Sequence, residues 1–207
     1  MKKKFLSLMM AAAMVATTSV SAFASSDATV TKDEGEVKVT ITGSVNDQDD
    51  NPPEGTINVT IPTALAFTVN NKGDFEGTSL NVVNNGTEKV DVYAYQFVDG
   101  NGEKGINVAK EVRDDEKRNK VVLSLSGDEG EAGFASVNSA HVLNGIYNFS
   151  NPEGDVGSDG IKIASVEKLG GQNKAKLQLN GHSGKSDSET KAVREEFTLK
   201  LKVKKAN

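Results

Sequence analysis

Apolar residues in this chain recur at every second position in short runs, and turn-forming residues interrupt each run before it reaches the length of a helix. Val37, Val39 and Ile41 alternate with Lys38, Thr40 and Thr42, and Phe197, Leu199, Leu201 and Val203 alternate with Thr198, Lys200, Lys202 and Lys204. Successive side chains of a strand point to opposite faces, so this period of two marks strands with one buried face, and Val, Ile and Thr suit a pleated surface. Ile57, Val59 and Ile61 share one parity with Leu65, Phe67 and Val69, and Pro62 removes a backbone donor between them, which means two strands meeting at a bend or one edge strand broken there. Further runs lie at residues 80–83, 90–98, 121–125, 161–163 and 175–179. About nine or ten short strands, with turn signals about every 8 to 15 residues and no helical period beyond about ten residues, predict an all-β chain, an antiparallel β-sandwich of jelly-roll or Ig-like kind.

The punctuation between runs carries its own expectations. Asn84-Asn85-Gly86-Thr87 separates two apolar runs and predicts a β-hairpin, because Asn and Gly tolerate positive φ. Residues 46–55, 70–73, 99–102, 127–133, 151–160 and 170–171 read as turns or loops. Residues 110–120 hold five basic and four acidic side chains, the composition of a solvated loop or short helix. Residues 134–149 show no clear period, with Val142, Leu143, Ile146 and Tyr147 fitting a strand or a short helical turn, and Asn180-Gly181 opens a polar excursion that runs to Glu195.

The chain begins with Lys2, Lys3 and Lys4, continues with an apolar run over residues 5–16 and reaches Ala22-Phe23-Ala24, the three parts of a cleavable secretory signal. Cleavage is expected after Ala24, leaving a polar, flexible leader at residues 25–36 and a single sandwich domain at 37–207. No second apolar stretch of about 20 residues follows, and the sequence has no cysteine for a disulfide, a thiolate metal site or a lipid anchor. The expected location is outside the cytoplasm, secreted or associated with the cell surface. The signal takes three of the 24 basic residues and none of the 29 acidic ones, so the net charge of −5 deepens to −8, which disfavours nucleic acid as a partner.

Chemistry-bearing residues are sparse. His141 and His182 are the two histidines, neither in a metal-ligand spacing, and there is no G-x-S-x-G elbow, so both read as surface or structural residues and the chain as noncatalytic. Asp47, Asp49 and Asn51 have the oxygen spacing that opens an EF-hand loop, but Pro52 stands where that loop needs glycine and Asn58 where it needs glutamate. A solvated acidic loop is the stronger reading there and calcium the weaker one. In the run Val90 to Val98, strict alternation places Tyr93, Tyr95 and Phe97 on one face and Val90, Val92, Ala94 and Val98 on the other. Both faces want cover, from loops or, at an aromatic contact stripe, from another subunit or a ligand. Lys200, Lys202 and Lys204 read as charges that guard an edge strand. The leader, followed by the Val37-Val39-Ile41 strand, has the composition of a segment that adds as an extra strand to a neighbour's sheet.

Residues 61–69 (I-P-T-A-L-A-F-T-V), 82–92 (V-V-N-N-G-T-E-K-V-D-V) and 197–203 (F-T-L-K-L-K-V), behind an export signal, resemble exported β-sandwich proteins of Gram-positive surfaces. The similarity is broadest to matrix-fibre proteins of the camelysin and TasA type, and extends to surface proteins with WxL domains, although no tryptophan is present to form the motif that names the latter. The resemblance implies a noncatalytic role at the cell surface or in extracellular matrix, with a fibre subunit as one form of it. The expected partners are further copies of the chain, other surface proteins or polysaccharide. A secreted adhesin or carbohydrate-binding module is the alternative.

Overall fold

Strands form wherever the alternation is strong. A computed structural model of the chain describes residues 27–30, 34–40, 57–99, 105–136, 139–186 and 193–206. Among them are fourteen strands and no helix: β1 (Asp27–Val30), β2 (Glu34–Thr40), β3 (Val59–Pro62), β4 (Phe67–Val69), β5 (Phe75–Gly77), β6 (Ser79–Asn84), β7 (Val90–Asp99), β8 (Asn107–Val108), β9 (Lys120–Ser126), β10 (Glu131–Phe134), β11 (Ile146–Asn148), β12 (Ile161–Val166), β13 (Lys174–Ser183) and β14 (Phe197–Lys205). The larger sheet runs β1-β3-β6-β13-β9-β10-β11, with β8 parallel to the end of β9, and the smaller runs β12-β7-β14-β2. All other pairings are antiparallel, so the chain is an all-β sandwich.

The alternating residues meet between the two sheets. Val59, Ile61, Val82, Leu125, Leu177 and Leu179 of the larger sheet share one core with Val92, Ala94, Leu199, Leu201 and Val203 of the smaller. Burying such side chains contributes about 1.5–3 kcal/mol each. The β4–β5 hairpin closes one end of this core with Phe67 and Phe75, whose rings stack at 5.3 Å. From there the stack continues through Phe67–Phe197 (6.2 Å) and Phe197–Phe97 (5.5 Å) to Phe97–Phe134 (4.9 Å), so five phenylalanines tie β5, β4, β14, β7 and β10 together. Pro62 ends β3, and the chain then leaves the larger sheet for β4, so the run at 57–69 is two strands.

Four expectations change. The Asn84-Asn85-Gly86 turn is not a hairpin: β6 belongs to the larger sheet and β7 to the smaller, so the turn carries the chain across the sandwich. Neither Asn85 nor Gly86 takes positive φ. Asn84 is fully buried at the crossing, where its amide nitrogen donates to the carbonyls of Glu88 (2.7 Å) and Val166 (3.3 Å) and its amide oxygen accepts from Gly86 N–H (2.9 Å). The tight Asn-Gly hairpin sits instead in the stretch without a period, at Asn144 (φ 55°) and Gly145 (φ 77°), where Leu143 and Ile146 exchange two backbone hydrogen bonds of 3.0 Å. Positive φ at both central positions defines the type I′ turn that matches strand twist.

Asn180-Gly181 lies inside β13, which continues to Ser183 because β9 pairs with it as far as Ser183–Val121. Finally, the stretch read as a flexible leader contributes strands: Asp27–Val30 pairs with β3, and Glu34 opens β2 against Lys204. Backbone pairing with an already formed sheet gives these two pieces what their composition does not, a partner for their backbone N–H and C=O groups. Residues 110–120 form turns held by ion pairs such as Glu116–Lys120 (2.6 Å).

Candidate contact surface

The aromatic stripe expected on β7 is split by a bulge. Lys200 of β14 stands opposite Gln96 and Leu201 opposite Ala94, so Tyr95 is an extra residue without an opposite number. An extra residue reverses the parity of everything beyond it. Phe97 therefore turns into the core, where it is 6% exposed, and Val98 turns out to solvent at 42%. Tyr93 and Tyr95, both half-buried, remain on the outer face of the smaller sheet.

That face is a set of charged pairs laid over the two tyrosines. The register aligns Lys162 of β12, Tyr93 of β7 and Lys202 of β14 in one row, and Ser165, Asp91 and Lys204 in the next. Lys202 is only 8% exposed; its ammonium lies 4.4 Å from the centre of the Tyr95 ring and 3.3 Å from Asp159. Lys204 takes the other oxygen of the same carboxylate at 2.9 Å. Hydrogen bonds from Lys204 and Lys202 hold the Asp159 carboxyl below its usual range. Asp91 accepts from Ser165 Oγ (2.6 Å) and pairs with Lys162 (3.0 Å), which also reaches Glu129 at 3.7 Å. Burial works against the Lys162 charge, but the hydrogen bond and charge of Asp91 outweigh it and raise its pKa. Tyr93 is raised by burial and by Asp91. The lysines of β14 are not guards of an edge, because β14 lies between β7 and β2.

A second aromatic group covers part of the opposite face of the molecule. Ile146 joins the main core, whereas Tyr147 points the other way and forms a small cluster with Ala135, Val142 and Phe149. Its ring lies over Gly133, its cross-strand partner: a Cβ added there would come 2.2 Å from Tyr147 Cζ. Glycine is the residue that lets the ring lie flat on the sheet. The Tyr147 hydroxyl is buried with no hydrogen-bond partner among the described residues, and burial, with Glu131 and Glu111, pushes its pKa up to about 12. Lys110 sits over the same ring at 5.3 Å and lines an open, mostly apolar cavity of about 270 Å³ with Asn107, Val108, Ala135 and Val142.

His141 is exposed and pairs with Glu153 at 2.9 Å, and His182 is exposed on β13. The fold keeps the two histidines in separate elements, one in the 139–142 turn and the other in β13. Asp47, Asp49 and Asn51 lie outside the described residues. Among the described residues no three His, Asp or Glu side chains are grouped to hold a metal ion. Asp159 and Lys162, which organise the tyrosine face, carried no signal in the sequence: the register of β12 on β7 brings Lys162 opposite Tyr93, and Asp159, just before β12, meets Lys202 and Lys204 of β14.

Comparison with protein-family models, with curated proteins and with solved structures found no match to this chain.

Proposed function

We propose that this chain is an exported, noncatalytic structural protein of a cell surface or extracellular matrix, a fibre subunit that assembles by strand addition. The observation that supports this most is β1. Four residues just beyond the expected cleavage point pair antiparallel with β3 at the edge of the larger sheet, from Asp27–Pro62 to Val30–Val59. A short strand at the edge of a sheet is the kind of element that adds to a neighbouring copy as readily as to its own. The resemblance to matrix-fibre proteins points the same way.

The test is size-exclusion chromatography and negative-stain microscopy of the chain from residue 25 onward, beside a variant starting at residue 34. Polymers from the first and their loss in the second are expected. Equal polymer formation by both, or a strictly monomeric protein at high concentration, contradicts the reading.

A second reading, a carbohydrate-binding surface protein, is favoured by Tyr93 and Tyr95 lying half-buried beside Lys202 on one sheet face. Aromatic rings next to charged groups suit sugar rings and their substituents. A monomer that binds a glycan array through this face, and loses the signal on Tyr93→Ala, supports it over assembly.

A further inference from the structure

Among the described residues the two sheets end in four edge strands, and two of these are covered. Along β12 the Ile163 carbonyl accepts from Glu129 N–H (3.1 Å), and the Val166 carbonyl accepts from the buried Asn84 amide (3.3 Å). At β11 the Ile146 N–H and carbonyl are both taken up by Leu143 in the tight hairpin. The other two edges, β1 and β2, come from one stretch of chain. β2 is the longer: it pairs with β14 over seven residues, from Glu34–Lys204 to Thr40–Thr198, and among the described residues no strand pairs with its other side, although β1 comes close to it. A strand of that length with one open edge is a template for another strand.

We propose that β2 is a homodimer edge, at which the β2 strands of two copies pair antiparallel about a two-fold axis through Val37. The sequence Glu34-Gly35-Glu36-Val37-Lys38-Val39-Thr40 specifies that partner. Centred on Val37, the two-fold sets Glu36 opposite Lys38 twice, Gly35 opposite Val39 and Glu34 opposite Thr40. Opposite charges directly across an antiparallel pair are favourable and like charges are not. Moving the axis to Glu36 or to Lys38 puts two identical charges on it, and a shift of one residue sends the apolar positions to the wrong face. Charges that only protect an edge repel a second copy of themselves, whereas these attract one in a single register. The four-stranded sheets of two copies thereby join into one eight-stranded sheet, and the two-fold closes this one contact at two copies. This contact uses the smaller sheet and leaves the β1–β3 pairing of the larger one in place, and it rests on the assembly reading only in taking a second copy as the partner.

Sedimentation equilibrium of the chain from residue 25 onward tests the edge. Lys38→Glu is the informative variant, because Lys38 stands opposite Lys200 within its own sheet. An acidic residue at a register position opposite a lysine suits that sheet, so the melting temperature stays equal or higher, while the change places two acidic positions from each copy at the seam. The expected dissociation constant rises about tenfold or more. Glu36→Lys weakens the dimer likewise, and an equal mixture of the two variants associates more tightly than either alone, because each strand then meets the opposite sign. A wild-type chain that stays monomeric up to about 1 mM, an unchanged dissociation constant in Lys38→Glu, or no gain on mixing overturns the proposal. Fibres that grow equally well from Lys38→Glu while no soluble dimer forms overturn this edge and leave the assembly reading standing. A dimer in a protein that forms no fibres does the reverse.

Discussion

Replacing Asn84 with alanine removes the fully buried side chain at the crossing between the sheets. Asn84 is fully buried, and its amide makes three hydrogen bonds: to the carbonyls of Glu88 and Val166 and from the N–H of Gly86. In the alanine variant the Gly86 N–H and the Val166 carbonyl stay buried without those partners, at about 1–3 kcal/mol each, whereas the Glu88 carbonyl is near enough to solvent to find water. Allowing for the amide that no longer has to be buried, the expected loss is about 3 kcal/mol, a large share of the ~5–15 kcal/mol that holds a domain together. For a domain of this size that corresponds to about 6–12 °C in melting temperature. Asn84→Asp separates hydrogen bonding from shape. The carboxylate is isosteric, but its second oxygen faces two carbonyls, so burial and repulsion raise its folded pKa above the unfolded value. The aspartate variant therefore keeps its stability below the unfolded carboxyl pKa and loses it as pH rises through the folded one, opposite to an ordinary surface carboxylate. Urea unfolding followed by far-UV circular dichroism at pH 4 and pH 7 measures both effects. A loss under ~0.5 kcal/mol in Asn84→Ala, or an aspartate variant as stable as wild type at pH 7, refutes the view that this amide holds the crossing.

Gly133→Ala drives a Cβ to 2.2 Å from the Tyr147 ring and is expected to cost about 2 kcal/mol or more, with a changed near-UV tyrosine signal; truncating Tyr147 as well should recover part of the loss, and strict additivity of the two changes would contradict the contact. Tyr147→Phe keeps the ring on Gly133 and removes a buried hydroxyl that has no hydrogen-bond partner among the described residues, so it should gain about 1 kcal/mol in denaturant titration; a destabilised variant means that the hydroxyl is hydrogen-bonded after all. Tyr147, pushed up to about 12, binds its proton more tightly folded than unfolded, so its contribution is complete below the ordinary phenol value of 10.0 and is lost as pH rises toward 12. Spectrophotometric titration should show that late phenol vanish in Tyr147→Phe. Asp159 has the opposite sign: its lowered pKa favours the folded state above the ordinary carboxylate range, and this is lost as pH falls through the folded value. Asp159→Asn should flatten the acid limb of the stability profile, and an unchanged limb would remove Asp159 from that account.

The tyrosine face shows how far a repeating pattern reaches. Alternation assigned Tyr93 and Tyr95 to one side of β7 correctly and Phe97 wrongly, because counting by two assumes that no residue is skipped. The skipped residue is Tyr95, and nothing in the local sequence marks it; the mismatch exists only between β7 and β14. Asp159 and Lys162 were equally invisible, since their role depends on which strand β12 joins.

From its sequence alone this protein was committed to strands. Each period-two run buries one face whatever its partner, so the all-β class and the inward side of β3, β13 and β14 follow from local residues. Which turn folds back and which crosses was decided only in three dimensions. Asn85-Gly86 and Asn144-Gly145 carry the same local preference, yet the first spans two sheets because a fully buried amide ties Asn84 to Glu88 and Val166, while the second is free to take positive φ. A dipeptide's preference is worth little beside the burial of several apolar side chains, so the packing of whole strands overrides it wherever the two disagree.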